Sequence, residues 1–262
     1  MGMNNTLEEL LNAELILVGL GEDFDDNKRL QNYETYKKGK IILQEQGYLS
    51  LIPAWKEYCT GKMPDIITPA LKKLEKLLEG KNYYIVCTST SKYITEVSWK
   101  NNRLVMPCGT TSMKQCGSLC DSGLSELTEE DKWKLHIFFE SLEAGAVSSD
   151  SNMSLGNCTK CGAGLELNNI YVEKYNENGY LTKWAEYTKW LQGTLNHSLL
   201  ALELGVGMQF PSVIRWPFEK IVYFNKKAFL VRVHETLYQL TEELSGKGCG
   251  ISQNAIEWLT NL

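Results

Sequence analysis

Eight cysteines in 262 residues pose the first chemical question. Cys116-x-x-x-Cys120 and Cys158-x-x-Cys161 each carry two sulfurs at the separation a tetrahedral zinc ion requires, and Gly117, Gly156 and Gly162 supply the turn freedom of a zinc knuckle. Four thiolates close the coordination shell and leave no position for water, so zinc held here is expected to be structural and not catalytic. The competing reading is four unligated thiols, since the three-residue spacing of the first pair is the less common one. Cys59, Cys87 and Cys249 stand alone and read as small apolar residues. The N-terminus shows no basic segment followed by an apolar stretch, so reduced thiols and a cytoplasmic location are expected in place of disulfides and secretion.

The second chemical signal is a pair of glycine turns. An apolar run at 14–20 ends in Gly19-Leu20-Gly21, and another at 199–204 ends in Gly205-Val206-Gly207. Glycine in such a turn lets backbone N–H groups approach phosphate oxygens closely, and an open parallel sheet binds ligands at the carboxyl ends of its strands near the switch point. A tight turn with no ligand is the plain alternative for each.

These turns need elements to hold them. The runs at 14–20, 82–88 and 199–204 read as buried parallel strands, and 221–225 reads as a fourth. One or two helices over 27–55 are expected to cover the first strand. Thr68-Pro69 predicts an N-cap and first-turn proline for a helix through Leu71, Leu74, Leu77 and Leu78 that stops at Gly80. Segments 94–99 and 103–106, flanking Lys100-Asn101-Asn102, suggest a hairpin. A helix starts near Thr128, a loop spans 146–157, a helix with Trp184, Tyr187, Trp190 and Leu191 on one face follows Lys183, and a closing helix covers 254–262. Strands alternating with helices predict an α/β, Rossmann-like doubly wound parallel sheet, formed by residues 1–106 and 165–262, with a small zinc-binding module inserted at 107–164.

Composition sets the outer limits. Apolar residues at 43% and charged residues at 23% are ordinary for a globular protein, and no apolar run approaches the ~20 residues of a membrane span. A net charge of −5 and a pI near 5.4 argue against a general nucleic-acid binder.

In order, the motifs resemble those of the sirtuin family of NAD-dependent deacylases. The family's Gly-Ala-Gly-Ile-Ser is met by Gly19-Leu20-Gly21-Glu22-Asp23, its Thr-Gln-Asn-Val-Asp by Cys87-Thr88-Ser89-Thr90-Ser91, and its Leu-His-Gly-Ser by Pro107-Cys108-Gly109-Thr110. Two cysteine pairs follow, then Gly205-Val206-Gly207-Met208 for Gly-Thr-Ser-Leu, and Phe224-Asn225 for a strand ending in Ile-Asn. The resemblance implies an NAD or ADP-ribose site formed by Gly19, Gly21, Ser89, Gly205, Gly207 and Asn225, an acylated protein or peptide as partner, and Cys108 at the position of the catalytic histidine.

The departures bear on function. Cys108 replaces the histidine that acts as base, Ser89 and Ser91 replace the Asn and Asp that orient ribose and water, and Glu22 and Asp23 place two carboxylates where a pyrophosphate would sit. Like charges oppose one another there. His136, His197 and His234 do not replace the base convincingly. The leading expectation is a degenerate sirtuin-like protein that keeps the fold and the zinc and binds NAD or ADP-ribose weakly. Two others stay open: an active NAD-dependent deacylase or ADP-ribosyltransferase using Cys108, Ser89, Glu22 or Asp23, and an interaction module whose aromatic surface is Trp184, Tyr187 and Trp190.

Overall fold

The computed structural model describes residues 13–100, 103–147 and 153–262. The chain opens with β1 (Leu15–Leu20), buried along its whole length, and then runs through α1 (Asn27–Leu30), α2 (Glu34–Glu45), α3 (Ile52–Thr60) and α4 (Ile67–Leu77) to β2 (Asn82–Cys87). Next come α5 (Lys92–Glu96), β3 (Leu104–Val105), β4 (Gly109–Cys116), β5 (Ser125–Glu126), α6 (Glu129–Glu143) and β6 (Leu165–Asn169). The remainder is α7 (Leu181–Gln192), β7 (Leu199–Leu204), α8 (Arg215–Phe224), β8 (Ala228–Val233), β9 (Gly248–Ile251) and α9 (Ala255–Thr260).

Among the described residues, six strands form a parallel sheet in the order β3-β2-β1-β7-β8-β9. This is the doubly wound order, and its switch point lies between β1 and β7, the two strands that end in glycine turns. Alternation along each strand feeds two cores. Ile16, Val18 and Leu20 pack with Leu71 and Leu74 of α4 and Trp258 of α9, while Leu15 and Leu17 pack with Tyr187 of α7 and Phe218 of α8. Tyr187 is buried and Trp184 and Trp190 lean on that core, so the aromatic stripe of α7 is packing and lends no support to a docking surface.

A second lobe stacks α2, α3 and α6 on the three-stranded antiparallel sheet β5-β4-β6. Tyr36, Leu43, Trp55, Phe138, Phe139 and Leu167 share its core. Helices α2 and α3 therefore pack in this core and do not cover β1 as expected. Gly39 shows why these two helices belong together, because a Cβ there would meet the Trp55 ring within 2.5 Å.

Three local expectations are corrected. Residues 221–224 are the last turn of α8 and Asn225 ends it: Ile214, Phe218 and Val222 are buried at a spacing of four, a helical period that the β-rich string Ile-Val-Tyr-Phe conceals. The strand is β8, which follows it. The hairpin is absent among the described residues, Asn101 and Asn102 lying outside them; Lys92–Glu96 is helical, Trp99 Nε1 donates to the Ile94 carbonyl (2.7 Å), and β3 pairs with β2 in parallel. Helix α4 begins at Ile67, and its first turn is capped by Asp65 and not by Thr68: Asp65 Oδ1 accepts from the Ile67 and Thr68 N–H groups (3.0 Å each). By contrast α6 starts where expected, with Thr128 and Asp131 forming a reciprocal capping box.

Candidate functional site

The carboxyl ends of β1 and β7 close on each other. The Gly21 N–H donates to the Leu204 carbonyl (2.9 Å), and a Cβ on Gly21 would run into the Gly205 carbonyl oxygen. Gly205 has φ +62°, a left-handed conformation that favours glycine. Gly19 plays a different part. It lies inside β1, where a Cβ would meet Ile214 Cγ2 at 2.5 Å, so its bareness lets α8 pack on the sheet.

Glu22 and Asp23 fill the room that the glycines of the crevice leave. A Cβ on Gly205 would clash with the Asp23 side chain, and one on Gly207 with the Glu22 carboxyl. Glu22 Oε1 accepts from the Gln209 N–H (3.1 Å) and Asp23 Oδ2 from the Ala255 N–H (2.8 Å). Burial raises both carboxyls above the ordinary range. For Glu22 the Gln209 N–H opposes that rise and the charges of Asp25 and Asp23 add to it; for Asp23 the Ala255 N–H opposes it.

Next to this pair lies a buried polar cluster that sequence reasoning misses. Ser89 Oγ donates to Asp25 Oδ1 (2.5 Å) and accepts from the Ser91 N–H (3.1 Å), while Lys56 Nζ stands 3.3 Å from Asp25 Oδ2. Asp25 follows the first glycine turn and Lys56 comes from α3, so the cluster spans both lobes. Asp25, Lys56, Glu57, Thr90, Ser91 and Tyr93 also line a small enclosed cavity. Its one trace in the sequence is the run Glu22-Asp23-Phe24-Asp25-Asp26 beside a glycine turn.

Cys108 is 2% exposed, and burial, followed by the charges of Asp25 and Glu22, pushes its thiol up to about 12. At neutral pH a thiol of that kind is largely protonated. Asn225 does not join the crevice. It terminates α8 and donates from Nδ2 to the carbonyls of Thr194 (3.2 Å) and His197 (3.3 Å), at the amino-terminal edge of β7 and β8. The position that follows a strand, where the resemblance places such a residue, is held by His234 after β8. Of the residues expected in the crevice, the structure thus brings together Gly21, Ser89, Gly205, Gly207 and Cys108, and leaves Gly19 and Asn225 out.

Glu57 carries a further consequence of burial. Its Oε1 accepts from Thr111 Oγ1 (2.8 Å) and the Lys92 N–H (2.7 Å), but desolvation outweighs both and raises the carboxyl to about 7. A folded-state value above the unfolded one means the native state binds the proton more tightly, so stability is lower above pH 7 and is gained as pH falls through it. Between pH 8 and pH 6 this group alone contributes about 1 kcal/mol. On going from pH 8 to pH 6 the wild type is expected to gain more in melting temperature than Glu57→Gln does; parallel shifts for the two would refute the assignment.

The four cysteines of the two pairs converge at the tip of the second lobe. Cys116 ends β4, and all four sulfurs lie within 4.8 Å of one another, with Cys116–Cys161 at 3.4 Å and Cys120–Cys158 at 3.5 Å. A zinc ion with ~2.3 Å bonds to four tetrahedral sulfurs sets them ~3.8 Å apart, so the cluster can hold such an ion. The turns are built for it: Gly162 N–H donates to the Cys158 carbonyl (2.8 Å), Gly117 N–H to the Gly164 carbonyl (3.0 Å), and Gly156 and Gly162 have φ of +89° and +77°. Hydrogen bonds from Ser122 and from the Cys161 and Lys160 N–H groups pull the Cys158 thiol down to about 6. Cys161 goes the other way, up to about 12: the Ala163 N–H favours its thiolate, but the surrounding sulfurs outweigh it. Four thiolates at this spacing coexist only around a cation.

Known proteins with this arrangement share one architecture. A Sir2 enzyme bound to a propionylated peptide superposes with a TM-score of 0.60 over 100% of this chain and 97% of its own, at 13% identity. A Sir2 homolog–NAD complex gives 0.58 over 99% and 92%, at 11%. The chain has the sirtuin fold. In sequence it is 19% identical, over 95% of its length and 82% of the other's, to a protein ADP-ribosyltransferase of Staphylococcus aureus strain Mu50. No protein-family model matches. Through Asp25 and Lys56 the crevice between β1 and β7 touches the second lobe. No helix among the described residues is long and apolar enough to cross a membrane.

Proposed function

We propose that this is a cytoplasmic, zinc-stabilised protein of sirtuin fold whose crevice binds NAD or ADP-ribose weakly and does not carry out sirtuin deacylation. The observation that carries this reading is Cys108: a thiol that is buried, and whose burial favours the protonated form, stands where the resemblance puts the base that would take a proton from the ribose. Ser89 supports it, because its hydroxyl hydrogen is committed to Asp25. Nucleotide binding is supported by the switch-point position of the Gly21 and Gly205 turns and by an NAD complex among proteins of the same fold. Zinc would be held by Cys116, Cys120, Cys158 and Cys161; when bound it supplies cross-linking and charge neutralisation, and its closed shell gives it no part in chemistry at the crevice.

A second reading has one observation in its favour, the likeness to a protein named as an ADP-ribosyltransferase. Under it Asp25, held between Ser89 and Lys56, is the residue to act on NAD, and the partner is an acylated protein or peptide of the kind seen as the propionylated peptide of the Sir2 complex. Titration with NAD and ADP-ribose tests binding, and nicotinamide release separates the two readings.

A further inference from the structure

The crevice holds donors of the kind that bind anions, and this chain satisfies them itself. The Gln209 N–H meets Glu22 Oε1, and the Ala255 N–H meets Asp23 Oδ2. Arg215 stands behind the 205–207 turn with Nη2 on the Val206 carbonyl (2.6 Å) and the Leu237 carbonyl (2.9 Å). It is 7% exposed, its Nε has no hydrogen-bond partner, and its charge acts on Glu22. Behind the turn there is thus a buried guanidinium with a spare donor, and in front of it two N–H groups that each take a carboxylate oxygen as acceptor. The room for that charge exists because Gly205 and Gly207 lack side chains, and the carboxyls of Asp23 and Glu22 fill it.

We propose that Glu22 and Asp23 are resident ligands of an anion cradle made by Gln209 N–H and Ala255 N–H, with the charge of Arg215 behind the 205–207 turn, and that they decide whether the crevice accepts a phosphate-bearing ligand. The inference rests on the reading of the crevice as a nucleotide site. An incoming phosphate has to take over the same donors and expel two carboxylates that would otherwise remain as like charges in contact with it. Protonation removes that obstacle. Glu22 is faced by Asp25, Asp23, Lys56 and Arg215, and Asp23 by His234, Glu235 and Lys28. Burial lowers the His234 imidazole, and when it does take a proton the added positive charge acts in the same direction. Anion affinity therefore rises as pH falls.

Inorganic sulfate is the probe, since its charge is constant over the useful pH range, with ADP-ribose beside it, at fixed ionic strength. Glu22→Gln and Asp23→Asn keep an oxygen acceptor for each N–H, which protects folding, and Glu34→Gln on the exposed surface is the control. At pH 7.5 the double variant is expected to bind sulfate roughly tenfold tighter than wild type or control. The wild type should close most of that gap at pH 6. Equal sulfate affinity in wild type and double variant overturns the proposal; if the double variant does not fold, the same comparison is made with Glu22→Gln alone. Tighter sulfate binding by the variants with no ADP-ribose binding in any form supports the cradle and sinks the nucleotide reading. ADP-ribose binding wild type and variants equally well sinks the cradle and leaves the nucleotide reading standing.

Discussion

Removing metal with a strong chelator is expected to unfold the second lobe. Apparent binding free energies of structural zinc reach about 10–16 kcal/mol, comparable to the ~5–15 kcal/mol that hold a whole domain together, so a lobe built on such a site does not survive its loss. The freshly purified, reduced protein should contain one zinc per chain, and Cys116→Ser or Cys158→Ser should abolish stoichiometric binding. Hydrogen exchange locates the effect. Amides of β4 and β6, which pair through Lys114, Gln115 and Cys116 next to the cluster, should lose protection on chelation, while those of β1 and β7 keep theirs. Metal-free protein with β4 and β6 still protected would mean that the four thiols are unligated residues of an otherwise stable lobe.

A smaller but still large effect is expected at a place with no ligand at all. Glu203 and Arg232 face each other across β7 and β8, 0% and 1% exposed, with Nε–Oε2 at 2.5 Å and Nη2–Oε1 at 3.0 Å; Nη2 also reaches Glu219 Oε1 (2.8 Å) and Nη1 the Gln239 carbonyl (2.9 Å). Each charge is tolerable only because of the other. Truncating Arg232 leaves a carboxylate in the interior, which costs about 3–5 kcal/mol, whereas replacing both partners with apolar residues of similar volume is often near neutral. Urea unfolding should place Arg232→Met far below wild type and the Glu203→Met/Arg232→Met double variant most of the way back. A double variant as unstable as the single would show that the pair's value lies in its bonds to Gln239 and Glu219 and not in mutual neutralisation.

The parts of this protein that can be read from its sequence are the local ones. β1, β2 and β7 announce themselves as continuous apolar runs because both faces of a doubly wound sheet are covered, and the cysteine pairs do so because each ligand pair sits within five residues. Sequence patterns mislead where an apolar string admits two periods. Residues 221–225 suit a strand when taken alone, and only the burial of Ile214, Phe218 and Val222 makes them helical. Asn225 moves with them, to the opposite edge of the sheet from the crevice. The cluster of Asp25, Lys56 and Ser89 leaves still less trace, since its members are brought together from the turn after β1, helix α3 and the turn after β2. The packing of α2 and α3 against α6 is likewise a tertiary choice, invisible to patterns that show only that a helix has an apolar face.

Whether the crevice has lost sirtuin chemistry is decided by nicotinamide release from NAD, with acetylated and longer-chain acylated peptides, by wild type, Cys108→Ala and Cys108→His. General acid–base catalysis contributes roughly 10²–10⁴-fold in rate, and restoring the imidazole alone leaves Ser89 tied to Asp25. The expected result is no release above background by wild type or Cys108→Ala, and at most a trace by Cys108→His, while ADP-ribose still binds. Robust release by the wild type that disappears in Cys108→Ala would contradict this reading and make the protein an NAD-consuming enzyme with a cysteine in the histidine's place.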